Sequence, residues 1–168
     1  MLPDYLAPDL LVLFCGTAAG KASAARGQYY AGPGNRFWRL LAETEMTPRL
    51  LQPHEDVLMP GFGLGLTDLA KGVCGMDRDI PPAAYLPARL GEVIDLWRPK
   101  AVAFTSLTAA RLALGDKRIG AGKAQIPAFP GTDLWVLPSP SGAARRTFHF
   151  EPWQDLGTWV RWMRGGQR

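Results

Sequence analysis

Apolar runs typical of strands alternate along this chain with segments in which apolar residues recur at helical spacing. The run over Asp9–Cys15 is rich in β-formers and ends at Gly16, which is typical of a buried strand in a parallel sheet. Shorter apolar runs of the same kind predict three further strands, over Gly63–Leu69, Ala101–Thr105 and Leu134–Leu137.

Helical spacing is clearest over Asn35–Glu45, where Asn35 is placed as an N-cap and both Phe37 and Trp38 are expected in the core. Similar patterns predict helices over Ala84–Trp97, Leu107–Leu114 and Pro152–Met163. Because strands and helices alternate and no linker divides the chain, we expect one α/β domain over residues 1–168. Its predicted architecture is a three-layer α/β/α sandwich around a mainly parallel sheet.

The composition argues against a disulfide-rich, metal-binding or membrane protein. Two cysteines and two histidines, all far apart in 168 residues, are too few for a disulfide framework, a zinc site or an iron–sulfur cluster. We therefore expect no metal site. The N-terminus has no signal-peptide pattern and no apolar run is long enough to span a bilayer, so we expect no membrane association and a reduced, intracellular location such as the cytoplasm.

Charge permits a polyanionic partner without requiring one. The net charge is +4, and the stretch from Lys117 to Phe150 holds five basic residues against the single carboxylate Asp133. On charge alone this stretch is either a solvated surface, which we favour, or a face that binds nucleic acid.

In open parallel sheets, ligands bind beyond the carboxyl ends of the strands, so the loops after Cys15, Leu66 and Leu137 are the candidate sites. The first loop, Gly16–Ser23, is not a Walker loop, because three residues separate its glycines and Ala22 stands where a hydroxyl would bind metal. Taken alone, it is a tight turn from strand to helix.

Two later segments carry further candidate chemistry. Tyr30 lies on an irregular segment before a Pro-Gly turn, where its ring is either packed or a platform for a nucleobase. The segment Ser139–Arg146 follows a buried strand with small residues and then two arginines, a pattern that suits close approach to a phosphate backbone.

Together these segments resemble the mismatch-specific uracil/thymine DNA glycosylase family, within the uracil-DNA glycosylase superfamily. The resemblance runs nearly end to end, and its most specific parts are Asn35-Arg36-Phe37-Trp38 and the Pro-Ser-Gly loop; Leu6-Ala7-Pro8, Phe14-Cys15-Gly16, Gly65-Leu66-Thr67 and Trp135–Arg145 also match. It implies a glycosylase-like fold and an enzyme that flips a base from duplex DNA and cleaves its bond to the sugar with water, without a cofactor.

The resemblance also implies roles for individual positions. Gly16–Gly20 corresponds to the loop that activates water and binds the pyrimidine, Tyr30 to the stacking ring, and Ser139–Arg145 to the wedge loop. The implied substrate-binding residues are Gly16, Thr17, Ala18, Ser23, Tyr30, Asn35 and Ser139. The implied DNA-binding residues are Lys21, Gly142, Ala143, Ala144, Arg145 and Arg146.

The chain departs from the family at key positions. Ala18 stands where the family has the catalytic Asn that positions water, Ser139 replaces an Asn, and Ala143 replaces the leucine wedge. A methyl group cannot orient water, so another group must do so, and Arg145 or Arg146 is expected to fill more of the space that a flipped base leaves.

Asp68 is the candidate for the missing catalytic group, because it follows Gly65-Leu66-Thr67 at the end of a predicted strand, on the same sheet edge as the glycine loop, and a carboxylate can both hold water and stabilise a cationic sugar. The alternative is an N-cap for the turn over residues 69–71. We expect Asp95 to be an exposed helix carboxylate and His149 to be structural. Lys21 and Lys71 show no setting for a Schiff base.

The leading hypothesis is a monofunctional, monomeric glycosylase that removes uracil, and other damaged or mismatched bases, from double-stranded DNA. One alternative is a non-catalytic DNA-binding module that lost its chemistry with Ala18. The other is a small-molecule enzyme that uses the glycine loop for a different ligand.

Overall fold

The computed structural model describes residues 2–166 and contains one five-stranded sheet of order β2-β1-β3-β5-β4. Its strands are β1 (Val12–Gly16), β2 (Leu64–Asp68), β3 (Ala101–Phe104), β4 (Gly122–Ala124) and β5 (Asp133–Val136). All neighbouring pairs are parallel except β4 with β5, so the predicted mainly parallel sheet is confirmed.

Helices cover both faces of this sheet, in the three-layer arrangement that the alternation predicts. They are α1 (Lys21–Arg26), α2 (Phe37–Glu43), α3 (Pro87–Trp97), α4 (Leu107–Leu114) and α5 (Glu151–Arg164), with longer 3₁₀ segments at Pro53–Phe62 and Gly142–Thr147. Alternate residues of each central strand face opposite layers. In β1, Phe14 packs with α2 and α5, whereas Cys15 packs with α3 and α4.

Several predicted boundaries were wrong, each for a local reason. The helix predicted over 35–45 spans only Phe37–Glu43, and Arg36 rather than Asn35 is its N-cap. The helix predicted over 84–97 begins at Pro87, because proline tolerates the first turn of a helix but not its interior. The first strand covers Val12–Gly16 rather than 9–15, since Asp9 adopts a left-handed backbone with φ +63°.

The pattern also missed some elements. Helix α1 is only six residues long and has one fully buried residue, Ser23, so no apolar periodicity marks it. Strand β4 has three residues and lies antiparallel at the sheet edge, with the glycine Gly122 at its start. In contrast, Leu107–Leu114 has the predicted bounds, and both Phe37 and Trp38 are buried as predicted.

Candidate active site

A cleft of about 950 Å³ opens at the carboxyl ends of the parallel strands. The register pairs Gly16 of β1 with Asp68 of β2, and Thr105 follows the end of β3 at the same edge. These three residues all line the cleft, together with the Pro138–Ala144 segment that follows β5. Parallel pairing therefore brings the ends of four strands to a single cavity.

Asp68 lies at the base of this cleft with only 5% of its surface exposed. Burial raises the pKa of its carboxyl to about 6, while the positive charges of Lys71 and Arg89 oppose that increase. The alternative, an N-cap for the turn over residues 69–71, is wrong, because the main-chain N–H groups of Leu69 and Ala70 donate to carbonyls of the loop after β1 instead of to Asp68. Asp68 also borders a second cavity of about 150 Å³ that Lys71 lines as well.

Three groups surround the α-carbon of Gly16. A Cβ built there would lie 2.7 Å from Asp68 Oδ1, 3.4 Å from Thr105 Oγ1 and 3.4 Å from the hydroxyl of Tyr30. Non-bonded heavy atoms essentially never come this close to a real Cβ atom. Glycine at this position therefore lets a carboxylate and two hydroxyls meet at the strand end.

The loop after β1 is held by its carbonyl groups, which leaves N–H groups available. The carbonyls of Gly16, Thr17 and Ala19 accept hydrogen bonds from Leu69, Ala70 and Gly75 at 2.8–2.9 Å. The Thr17 hydroxyl donates to Asp77 Oδ1 at 2.6 Å. Within residues 2–166, the main-chain N–H groups of Thr17, Ala18 and Tyr30 donate to no protein acceptor, although all three residues line the cleft.

Tyr30 is held rigidly in an unusual backbone conformation. Its φ of +51° is in the left-handed region, which costs a non-glycine residue on the order of 1–3 kcal/mol and is typical of functional sites. One face of its ring stacks on Phe37, with centroids 3.9 Å apart and planes 18° apart, and its hydroxyl lies 3.0 Å from Thr105 Oγ1. Tyr30 also lines the cleft, and the ring face that stacks on Phe37 is closed to a ligand.

Two predicted substrate-binding residues have observed roles in holding the loops. The buried Ser23 hydroxyl accepts a hydrogen bond from the N–H of Ala31 at 2.9 Å, which fixes the segment after Tyr30. Asn35 Oδ1 accepts from the N–H of Phe37 at 3.0 Å, so its oxygen caps α2 from one position before the N-cap. Both residues line the cleft, and their contacts stabilise its wall.

The Pro-Ser-Gly loop is built from successive side-chain caps. Ser139 Oγ accepts from the N–H of Ser141, and Ser141 Oγ accepts from the N–H of Ala143, both at 3.2 Å. A Cβ at Gly142 would lie 3.3 Å from the carbonyl oxygen of Pro33, so this loop packs directly on the Pro-Gly turn before α2. The indole N–H of Trp153 holds the start of the loop by donating to the carbonyl of Pro138 at 2.9 Å.

The predicted DNA-binding side chains lie around this cleft but are not all part of its lining. Lys21, Ala143, Arg145 and Arg146 are exposed, and Gly142 and Ala144 are half-buried. Lys21 and Gly142–Ala144 line the cleft, whereas the two arginines lie outside the lining. Arg145 extends toward the Pro-Gly turn, since its Nη2 is 3.5 Å from a Cβ built at Gly34.

The chain matches the uracil DNA glycosylase superfamily over residues 3–161. This match includes β1, β2, both loops that carry the glycines and serines, and nearly all of α5. The chain belongs to the uracil DNA glycosylase superfamily. Membership supports a role as a DNA glycosylase, an enzyme that hydrolyses the bond between base and sugar.

The fold of this superfamily member is similar to a solved structure. That structure, determined by solution NMR, is of a candidate uracil DNA glycosylase from Methanosarcina acetivorans. The TM-score is 0.64 at 22% identity, and the match covers 95% of this chain and 96% of the other. The similarity supports the uracil DNA glycosylase-like fold that the resemblance implies.

The structure adds cleft residues of this glycosylase-superfamily member that the sequence patterns missed. They include Thr105 and Ser106 just before α4, Thr108 and Arg111 on α4, Met76–Asp79 in the segment after β2, and His149. The residues at α4 follow the carboxyl end of β3. The rule that ligands bind beyond the carboxyl ends of parallel strands could therefore have identified them from the sequence. No comparable signal marks Met76–Asp79, because Gly75 and Thr17 bring that segment to the cleft through tertiary contacts.

The remaining expectations concern Asp95, His149, metal ligands and membrane-spanning helices. Asp95 is exposed on α3, as predicted. His149 is exposed at the cleft, with Nδ1 3.5 Å from the carbonyl oxygen of Thr147. Among residues 2–166, no three His, Cys, Asp or Glu side chains form a group that could hold a metal ion. No helix in this part of the chain is long and apolar enough to cross a membrane.

Proposed function

We propose that this protein is a monofunctional DNA glycosylase that removes uracil, and other damaged or mismatched bases, from double-stranded DNA and so initiates base-excision repair. The observation that carries this proposal is the buried carboxylate of Asp68 at the base of the cleft, beside Gly16 and Tyr30. It supplies a group able to activate water in a chain whose catalytic Asn position is Ala18. The mismatch-specific preference is part of the proposal.

Recognition of the flipped base relies on the Tyr30 ring and on main-chain groups. Stacking on an aromatic ring contributes roughly 1–3 kcal/mol, which offsets much of the few kcal/mol that flipping costs. The main-chain N–H groups of Thr17, Ala18 and Tyr30 donate hydrogen bonds to the carbonyl oxygens of uracil. This recognition tolerates substitution, because main-chain donors do not depend on side-chain identity. Gly16, Ser23, Asn35 and Ser139 shape the pocket around the base.

Asp68 performs the chemistry. As a carboxylate, it hydrogen-bonds the attacking water and accepts its proton while the water oxygen forms a bond to C1′. The bond from C1′ to the base nitrogen breaks, and its electron pair leaves with the base, which the main-chain N–H groups stabilise. The negative charge also stabilises the positive charge that develops on the sugar. A pKa of about 6 leaves Asp68 largely ionised at neutral pH and still basic enough to take a proton.

Duplex DNA runs across the exposed residues at the cleft rim. Lys21, Arg145 and Arg146 contact phosphates, and Gly142, Ala143 and Ala144 approach the backbone closely. Ala143 fills little of the space left by the base, so Arg145 or Arg146 occupies more of it. The chain acts as a single glycosylase domain and a monomer, without a cofactor. No lysine Schiff base forms, so borohydride traps no covalent complex with DNA.

The deciding experiment is single-turnover cleavage of a duplex with one G·U mismatch, in EDTA, by wild type, Asp68→Asn and the matched control Asp95→Asn. We expect wild type and the control to leave an abasic site and Asp68→Asn to lose at least about 100-fold in rate. Parallel reactions with A·U, G·T and single-stranded uracil measure the mismatch preference.

Each other outcome favours a different interpretation. Equal cleavage by all three proteins contradicts the role of Asp68. Salt-dependent binding of mismatched duplex without cleavage of any substrate favours the non-catalytic binding module. Absence of both binding and cleavage favours a small-molecule enzyme.

A further inference from the structure

A cluster of three charged side chains lies directly behind Asp68. Asp4 forms ion pairs with Lys71 Nζ at 2.8 Å and with Arg89 Nη1 at 2.6 Å. Their side chains are only 13–26% exposed, so solvent screens the pairs weakly. The hydroxyl of the fully buried Thr67 also donates to Asp4 Oδ1 at 2.7 Å. The cluster therefore joins the chain start, the end of β2 and α3.

Each cation of this cluster also contacts a part of the candidate active site. Arg89 Nη2 donates to the main-chain carbonyl of Asp68 at 2.6 Å and to Thr67 Oγ1 at 2.8 Å. Lys71 Nζ donates to the Tyr29 hydroxyl at 2.9 Å and to the carbonyl of Leu2 at 3.2 Å. One cation therefore holds the residue that bears the carboxylate, and the other holds the residue next to Tyr30.

We propose that Asp4, Lys71 and Arg89 are positioning residues that fix Asp68 at the cleft base and set the electrostatic field in which it works. The proposal rests on the proposed function for its enzymatic readout. Two positive charges and one negative charge leave a net positive charge behind Asp68. This charge favours the ionised carboxylate, and Asp4 limits how strongly it does so.

The charges that face Asp68 act in opposite directions. Lys71 and Arg89 lower the pKa of Asp68, whereas Asp4 and burial raise it. The other titratable neighbours are Cys15, Tyr29 and Tyr30, whose pKa values are all raised, so they stay neutral across the assay range. Removing the Lys71 charge therefore raises the pKa of Asp68, and removing the Asp4 charge lowers it. A general loss of structure would not produce opposite shifts.

The test is the pH dependence of single-turnover cleavage for wild type, Lys71→Met, Asp4→Asn and Lys71→Arg. We expect the acid limb to move upward by at least about 0.5 pH unit in Lys71→Met and downward by a similar amount in Asp4→Asn. Lys71→Arg should return the limb close to wild type, because it restores the charge. Lys100→Met is the matched control. Lys100 is exposed just before β3, at the amino-terminal ends of the strands and therefore at the end of the sheet opposite the cleft, so its loss should leave the acid limb unchanged.

A carbon-13 NMR titration of the Asp68 carboxyl, assigned by its absence from Asp68→Asn, reports the same shifts without using activity. The proposal is overturned if the pKa of Asp68 is unchanged in both variants, or if it shifts in the same direction in Lys71→Met and Asp4→Asn. If wild type cleaves no substrate but the NMR shifts are opposite, the proposed function fails and the electrostatic role stands. Asparagine is nearly isosteric with aspartate, so we expect Asp4→Asn to fold. If Lys71→Met does not fold, the downward shift of the Asp68 pKa in Asp4→Asn is the decisive result.

Discussion

Asp68 Oδ1 lies 2.7 Å from the point at which a side chain on Gly16 would begin. The two residues are register partners at the ends of β2 and β1, so their α-carbons are fixed by the sheet. The carboxylate therefore occupies the space that the missing side chain leaves. The proposed site therefore needs glycine at the end of β1 as much as it needs the aspartate.

Gly16→Ala should impair cleavage without unfolding the protein. The new methyl would displace the Asp68 carboxylate, and we expect the single-turnover rate on a G·U duplex to fall at least about tenfold. Gly91→Ala is the matched control, because a Cβ there meets nothing within 4 Å and alanine favours the α3 helix. A wild-type rate for Gly16→Ala would contradict the need for this close approach.

Asp68→Asn should stabilise the protein while it removes activity. Burial raises the pKa of Asp68 from 3.8 to about 6, so the folded state binds this proton more tightly than the unfolded chain does. The contribution to stability is full below about pH 4 and is lost as pH rises through about 6. The buried charge then costs the fold up to about 3 kcal/mol.

Urea denaturation at about pH 8 and about pH 4 measures this effect, and Asp68→Asn should gain stability mainly at the higher pH. The exposed Asp95→Asn should change little at either pH. A loss of stability at the higher pH in Asp68→Asn would show that its charge is compensated by its neighbours.

Tyr30 variants separate stacking from hydrogen bonding. Tyr30→Phe keeps the ring on Phe37 and loses only the contact with Thr105, so its rate should stay within about threefold of wild type. Tyr30→Ala removes the platform and should cost roughly 5- to 150-fold, the equivalent of 1–3 kcal/mol. Rates are compared on folded protein, with thermal unfolding as the check. Equal rates for the two variants would rule out stacking as the main contribution.

Ala143→Leu should improve activity on duplex substrates. Ala143 is exposed at the cleft, so a larger side chain fits without a steric penalty and can fill the space left by a flipped base. We expect about a threefold or larger gain on a G·U duplex and no gain on single-stranded uracil, where no such space forms. Ala25→Leu, on the exposed side of α1 and outside the cleft lining, should have neither effect.

The order of strands and helices was predictable because buried strands and amphipathic helices leave distinct periods in the sequence. Residues 107–114 show this well, since Ala109 and Ala110 are buried and Ser106 caps the helix through its hydroxyl. The short α1 and the edge strand β4 were not predictable, because neither buries a repeating apolar face. The predicted starts at Asn35 and Ala84 were too early, because local capping and Pro87 determine where these two helices begin.

The sequence by itself determined the parts of the site that local order controls, namely the glycine at the end of β1, the position of Asp68 after an apolar run, and the two loops with family-like motifs. Only the tertiary structure decided which distant side chains meet them. Thr105 reaches Gly16 through parallel pairing, and Asp4 reaches Lys71 and Arg89 across the end of β2. These contacts join segments far apart in the chain, so they depend on sheet register and on the burial of charge, which no local pattern of residues encodes.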